Sequence, residues 1–302
     1  MKLDGISAFV AVAEARSISE AARRLRLAKS VVSERLTELE RGLGTRLVHR
    51  TTRKLSLTED GTAFLERAER ILRDIEAAAA DLAERRGSLV GPLRISAPVT
   101  FARVHLGPAI FPFLARHPEI ELALDLDDRR VDAAAEGYDA VVRHGAIADS
   151  RLMVWTLAPS RRLLVASRAY LKKHGTPSSA AQLEGHPVIS YTNRGAADWS
   201  FAGAGGTDGT VILRGAPRLR INNGDLIHDA CLAGLGIALL PTFICGPSLR
   251  SGKLVAIDIG LETRPEFIYI AHPEGRQPSA KLRAFADALR EAFGSPPYWE
   301  DF

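Results

Sequence analysis

The 302-residue chain is 46% hydrophobic and 25% charged, an ordinary globular composition with enough length for two or three separate cores. Two cysteines, Cys231 and Cys245, cannot build a disulfide framework and lack zinc-ligand spacing, which fits a reducing cytoplasm. The formal net charge is only +4, so any preference for a polyanion must come from how the charge is distributed.

The opening residues, MKLDGISAFVAVAEAR, carry Asp4 and Glu14 and lack the uninterrupted apolar core of a signal peptide. No stretch approaches the roughly 20 apolar residues that span a bilayer, so a cytoplasmic protein with no membrane partner is expected. Leu3, Ile6, Phe9, Val10 and Ala13 recur at helical spacing and predict a first helix ending near Glu14. Ser17 stands three residues before Glu20, a capping-box pattern that starts a second helix reaching about Leu25. A four-residue turn, 26–29, leads into a third helix. Its apolar positions Val32, Leu36, Leu39 and Leu43 predict one buried stripe, and Gly42 and Gly44 its end. The opposite face carries Ser30, Ser33, Glu34 and Thr37, with Lys29 at the leading end. Two short helices joined by a tight turn, the second presenting small polar residues, have the geometry that enters a DNA major groove.

Beyond the third helix, Leu47, Leu55 and Leu57 alternate with polar residues as in a short hairpin. Arg50 leads into its tip, formed by Thr51, Thr52, Arg53 and Lys54. A basic tip beside a recognition helix is a wing, able to place arginine in the minor groove and lysine on phosphates. The charge distribution agrees. Between Arg16 and Lys54 stand eleven Lys and Arg against four acids, whereas Thr58 to Glu84 holds three Arg against eight acids.

The string SISEAARRLRLAKSVVSERLTELERGLGTRLVHRTTRKLSLTEDG resembles the LysR-type transcriptional regulators. Ala21-Ala22, Val32-Ser33, Leu39-Glu40, Leu43-Gly44, Leu47, Arg50, Leu57-Thr58 and Gly61 all match without a gap. The resemblance implies a winged helix-turn-helix DNA-binding domain, a long linker helix and a two-lobed α/β effector domain like a periplasmic solute-binding protein. Three positions depart from the family pattern. Ala28 replaces the usual Ser or Thr cap of the recognition helix, a loss typically worth about 1 kcal/mol. Lys29 stands where Gln is common, and Glu34 where a base is common. A carboxylate at Glu34 repels phosphate but can accept from cytosine N4; alternatively it pairs with Arg35, Arg41 or another nearby base.

After Thr58, which can cap a helix, Phe64, Ala68, Ile71, Ile75, Ala78 and Leu82 follow at alternating spacings of three and four. Such a seam needs a partner, either the chain's own domains or, as the family resemblance implies, a second copy of the chain, which would give two recognition helices for two half-sites of an interrupted dyad. The family commonly assembles further into tetramers and works with RNA polymerase. Gly87, Gly91 and Pro92 mark a boundary.

From Leu93 strands alternate with helices, the pattern of parallel α/β sheets. GPLRISAPVTF, HPEIELALDLDDRRVD, EGYDAVVRHG and AGLGIALLP resemble the family's effector domain, with a small-molecule ligand between lobes and no other cofactor. The resemblance places its site on Thr100, Phe101, Arg143, His144, Thr192 and Asn222. Arg143 can clamp a carboxylate or form a structural pair with Asp139 or another acid. The expected division is 1–58 for DNA binding, 59–90 for the linker and 91–302 for the effector domain. Its first lobe would comprise 91–160 and 267–302, and its second 161–266. No nucleophile motif, metal-ligand spacing or phosphate loop accompanies these residues, so neither an enzyme nor a metal site is expected. The cysteines read as core thiols. A solute-binding module whose N-terminal unit serves only assembly remains the alternative.

Overall fold

Helix α1 (Leu3–Ala15) turns Ile6, Phe9 and Val12 inward, and they form a core with Ala21, Val32, Leu36, Leu39 and Leu47. The computed structural model describes residues 2–50, 55–84, 89–145, 152–202, 210–212, 216–273 and 278–302, in two units split between Ser88 and Leu89. Helix α2 (Ile18–Leu25) starts where the Ser17 hydroxyl accepts from the Glu20 amide at 3.3 Å. The Glu20 carboxylate turns to Arg23 and Arg24, one turn ahead, so the reciprocal half of the capping box is not used. Helix α3 (Lys29–Leu43) begins one residue earlier than expected, which shortens the turn to 26–28, and Ala28 supplies no side-chain cap.

Two expectations for α3 are corrected. Leu43 is 36% exposed rather than buried, because a 3.6-residue helix drifts from a repeating four-three seam and its last turn runs past the core. Gly42 lies inside the helix; Gly44 alone ends it, at φ 72°, a left-handed conformation that suits glycine. Strands β1 (Val48–Arg50) and β2 (Leu55–Leu57) pair antiparallel, Val48 opposite Leu57. The expected wing tip, Thr51, Thr52, Arg53 and Lys54, lies outside the described residues.

Thr58 then caps α4 (Glu59–Glu84), accepting from the Gly61 amide at 2.9 Å and donating to the Arg46 carbonyl at 2.7 Å. Any Cβ at Gly61 would overlap the Leu47 carbonyl, so the junction of wing and helix requires glycine. The expected intermolecular seam divides. Ala68 is fully buried and Phe64 packs against Phe9, the rings tilted with centroids 5.6 Å apart, so the first two turns serve the chain's own core. A lone small unit gains most by covering Phe9, and α4 is the nearest apolar surface. Ile71 and Ile75, at 36% and 43%, and Ala78 stay exposed; the side chain of Leu82 is outside the described set.

In the second unit β3 (Gly91–Ala97) runs into a helical stretch made of α5 (Val99–Phe101), a π turn (Ala102–Leu106) and α6 (Gly107–Arg116). Strands β4 (Ile120–Leu126), β5 (Ala140–Gly145) and β6 (Leu152–Ser160) follow, and residues 133–137 form turns. The chain then builds β7 (Arg162–Ser167), α7 (Arg168–His174), α8 (Ala180–Leu183), β8 (Pro187–Tyr191) and a 3-10 stretch, Thr192–Trp199. A ribbon of β9 (Ser200–Ala202) and β10 (Thr210–Ile212) precedes β11 (Ala216–Ile221), α9 (Gly224–Leu232) and β12 (Ile237–Pro241). Helix α10 (Thr242–Arg250), β13 (Leu254–Ile257), β14 (Glu266–Pro273) and α11 (Ala280–Phe293) complete it.

Two five-stranded sheets result, ordered β4-β3-β5-β14-β6 and β11-β8-β12-β7-β13. They are mixed rather than parallel: β14 runs antiparallel to both β5 and β6, and β7 antiparallel to β12 and β13. The chain leaves the first sheet at Arg161 and returns along β14, so the strands flanking the crossovers oppose their neighbours. Thr263 Oγ1, on the return path, donates to the Arg162 carbonyl at 3.0 Å and ties the two crossovers together. Each sheet carries its own core, around Leu93, Ile95, Phe113 and Phe285 in one lobe and Leu164, Val188, Phe201 and Ile237 in the other.

Candidate DNA interface and effector cleft

On α3 the division of faces is sharp. Val32, Leu36 and Leu39 are at most 3% exposed, while Lys29, Ser30, Glu34 and Thr37 face solvent and Ser33 is half-buried. The buried stripe fixes the helix rotation, so these polar side chains share the outer face by necessity. The Thr37 hydroxyl donates back to the Ser33 carbonyl at 2.8 Å, leaving its oxygen lone pairs outward. Arg35 pairs with Asp4 at 3.0 Å, and among the described residues Glu34 forms no ion pair. The structural pairing considered for Glu34 is therefore absent there. Arg41 and Arg46, exposed around a shallow groove with Thr37 and Glu40, extend the basic surface; sequence reading passed over them because neither lies on the expected helix face or tip. Arg50 belongs to β1, its side chain outside the described set.

The expected effector residues separate into different environments. Thr100 is buried, and its hydroxyl has no hydrogen-bond partner among the described residues. Close by, Gly224 opens α9, where a Cβ would lie 3.3 Å from that hydroxyl. Phe101 is not a cleft residue. It is fully buried against Phe243, Phe293 and Trp299, since one residue along a helix turns a side chain by about 100° away from Thr100. Thr192 and Asn222 are exposed. Asn223 is the residue that faces inward: its side chain caps α9 by accepting from the Leu226 amide at 3.1 Å, and it reaches Asp128 at 3.5 Å. An Asn directly before the helix-opening Gly224-Asp225 was the signal that could have found it.

Arg143 and His144 lie within β5, not after it, and successive strand residues point to opposite faces. Arg143 donates to Ser96 Oγ at 3.0 Å and to the carbonyls of Val142 and Arg129 at 2.8 and 3.3 Å. Burial lowers its pKa, partly offset by the nearby charges of Tyr269, Asp127 and Asp128. Asp139 instead accepts from the Arg94 amide at 2.8 Å, so the Arg143–Asp139 pair does not form. His144 Nε2 lies 3.0 Å from Glu266, and Arg194 of the second lobe donates to the same carboxylate at 2.5 and 2.9 Å. Burial, offset in part by Glu266, pushes His144 down to about 4, so it is neutral at pH 7. Burial would raise Glu266, but the bonds and charges of His144 and Arg194 outweigh it and hold the carboxyl below its ordinary range.

Asp128 gathers a second set of contacts between lobes. Within its own lobe it accepts from the Val99 amide at 3.0 Å; across the lobes its carbonyl accepts from Asn193 at 2.9 Å, and Arg103 and Asp225 pair across the same seam at 2.7 Å. Asp128, Asn193, Arg194 and Glu266 were invisible in sequence because folding alone brings such distant positions together. Among the described residues no cluster of three His, Cys, Asp or Glu could hold a metal ion. Cys231 and Cys245 are buried, and burial pushes both thiols up to about 12.

Residues 3–62 match the bacterial regulatory helix-turn-helix protein, lysR family, and residues 86–294 match the LysR substrate binding domain. The chain belongs to the LysR family. It is 33% identical over 294 residues to the HTH-type transcriptional regulator CrgA of Neisseria meningitidis, covering 96% of each chain. It is 32% identical to the uncharacterized HTH-type transcriptional regulator YhjC of Escherichia coli, over 95% of this chain and 96% of that one. The full-length structure of the Vibrio cholerae virulence activator AphB, a member of the LTTR protein family, superposes with a TM-score of 0.59 at 27% identity, covering 96% of this chain and 98% of that one. This LysR-type protein is thus a DNA-binding transcription regulator whose activity is modulated by an effector, with α3 in its helix-turn-helix and two lobes in its effector domain. Among the described residues no helix is long and apolar enough to cross a membrane.

Proposed function

We propose that this LysR-type regulator is a cytoplasmic, non-enzymatic dimer that reads an interrupted dyad through two copies of α3. The observation that carries the proposal is the outer face of α3, where Lys29, Ser30, Glu34 and Thr37 are exposed on the side opposite the core that locks the helix in place. Ser33 and Thr37 contact base edges, Lys29 contacts phosphate, and Arg50 with the wing residues Thr51, Thr52, Arg53 and Lys54 contacts the backbone and minor groove. Arg41 and Arg46 add phosphate contacts. Ile71, Ile75, Ala78 and Leu82 form the dimer seam, with tetramers built from such dimers and RNA polymerase as a further partner.

Residues 1–58 bind DNA, 59–90 link, and 91–302 sense a small molecule held between lobes. Thr100, Asn223 and Arg143 serve that site best: among the described residues, a buried hydroxyl without a partner, a helix-opening amide and a guanidinium paired with no carboxylate. Effector binding shifts the lobe equilibrium and re-angles the paired recognition helices. The test is selection of fragmented genomic DNA on the purified protein, followed by sequencing of what is retained. Enrichment of sites sharing an interrupted dyad is the expected result. No retention even at low salt, with the fold intact, would overturn the reading.

A further inference from the structure

Past residue 294, where the substrate binding domain match ends, lies a short segment that joins neither sheet. It contains a 3-10 turn, Tyr298–Glu300. One side of this turn belongs to the first lobe. Trp299 is 3% exposed, with its ring centroid 5.9 Å from Phe101, 4.8 Å from His105 and 5.2 Å from Phe293. Tyr298 Oη lies 2.7 Å from His105 Nδ1, and the other nitrogen of that ring lies 2.8 Å from the Phe243 carbonyl on α10.

The other side is directed at the place where the chain passes between lobes. Glu300 accepts from Arg161 Nε at 2.7 Å and from Nη2 at 2.6 Å, and also from Thr242 Oγ1. Arg161 is the single residue between β6 and β7, so it is the crossover itself. Thr242 opens α10, and its amide donates to the Arg161 carbonyl at 2.9 Å. Asp301 pairs with Arg250 of α10 at 3.4 Å, and the Arg161 guanidinium sits over the Phe302 ring at 5.5 Å. Gly246 of α10 admits the segment: a Cβ there would lie 2.8 Å from the Trp299 carbonyl. Filling the first lobe's core needs only Trp299. The contacts of Glu300, Asp301 and Phe302 add nothing to that core, and all of them end on the crossover or on α10.

We propose that residues 298–302 are a hinge strap that holds the two lobes in one relative setting, with Trp299 as its anchor and Glu300 as its grip on Arg161 and Thr242. Releasing the grip frees rotation about the crossover. The regulatory consequence rests on the effector reading above: a ligand that closes or opens the lobes works on an equilibrium already biased by the strap.

The test places spin labels on the full-length protein at Arg116→Cys on α6 and Lys172→Cys on α7, both exposed positions on different lobes. The native thiols are buried and do not compete for label. The interlobe distance distribution is then measured by pulsed electron resonance. With labelled chains diluted into an excess of unlabelled ones, so that only distances within one chain are read, a single narrow distance is expected for the otherwise unaltered protein. In a variant lacking residues 298–302 a second distance should appear, its population raised about tenfold, as the loss of charge-assisted hydrogen bonds implies. Should that variant fail to fold, the double variant Tyr298→Phe, Glu300→Gln keeps the Trp299 anchor and should show the same second distance a few-fold above background. Distributions unchanged in a folded variant overturn the strap. DNA retention is measured on the same samples: its absence in the unaltered protein strikes the regulator reading and leaves the distance result to decide the strap alone.

Discussion

The two units use polar side chains in opposite ways. In the helix-turn-helix unit the residues that carry chemistry project outward from α3, while three aliphatic side chains beneath them hold the helix. In the two-lobed unit the corresponding residues turn inward. Arg194 and His144 both meet the Glu266 carboxylate there; burial lowers the pKa of His144, while its two partners hold Glu266 below its ordinary range. The first arrangement suits a partner that arrives as a large, already hydrated polyanion. The second suits a switch, because Arg194 reaches Glu266 from the other lobe, and a lobe movement must break that contact.

The strongest challenge to this contrast is Leu36→Ala, which removes a fully buried side chain beneath the reading face. It should destabilise the first unit by about 2–5 kcal/mol. All three tryptophans, Trp155, Trp199 and Trp299, lie in the second unit. Urea unfolding followed by far-UV circular dichroism should therefore show the loss, while tryptophan fluorescence stays unchanged; a matching shift in fluorescence would mean the units unfold as one. Next in size is Arg194→Ala, which leaves Glu266 buried without its guanidinium. About 2–3 kcal/mol should be lost from the fluorescence-detected transition, below the value for a fully buried pair because Arg194 is 21% exposed. A loss under about 0.5 kcal/mol would reduce the cluster to surface decoration.

Acid sharpens the same contrast. His144 titrates near 6.5 when unfolded and near 4 when folded, so the unfolded chain binds the proton more readily between these values. Its contribution to stability is complete above pH 6.5, falls as pH drops toward 4, and changes no further below that. Glu266, held below its ordinary range, adds a loss at still lower pH. Melting temperatures measured from pH 7 to 4 should decline, and His144→Gln should flatten the upper part of that decline. A slope identical in both proteins would remove His144 from the account.

Smaller effects are expected on the outer face of α3. Lys29→Ala should weaken binding to all DNA sequences alike, by a factor of about five, and reduce the salt slope by about 0.9. Fluorescence anisotropy at several salt concentrations would measure both, and a sequence-dependent loss would reassign Lys29 to base readout. Glu34→Gln is the gentlest change. If the carboxylate merely repels phosphate, affinity rises about twofold for every sequence; if it accepts from cytosine, affinity falls only at sites carrying that base.

Much of the first unit was legible because an α-helix with a single apolar stripe has one way to lie. Ser17 marked the start of α2, and Val32, Leu36 and Leu39 fixed the outward direction of Lys29, Ser30 and Thr37. Failures came where an element changes partner along its length. The spacing of Phe64 and Ala68 matches that of Ile71 and Ile75, yet the first pair is covered by α1 and the second is not.

By itself, then, the sequence determined the order of elements, the helix-turn-helix and the outward face of α3, and two sheet-forming lobes after residue 90, since these depend on periodicity and local capping. Tertiary structure decided the surroundings of neighbouring residues. Phe101 packs among the aromatic side chains of the core, whereas the buried Thr100 hydroxyl faces Gly224; Asn223 turned inward and Asn222 outward. It also decided the antiparallel course of β14 and the meeting of Arg194 with Glu266, 72 positions apart. Side-chain spacing along a strand or helix fixes only relative direction, whereas absolute direction is set when the element docks, and that depends on the whole chain.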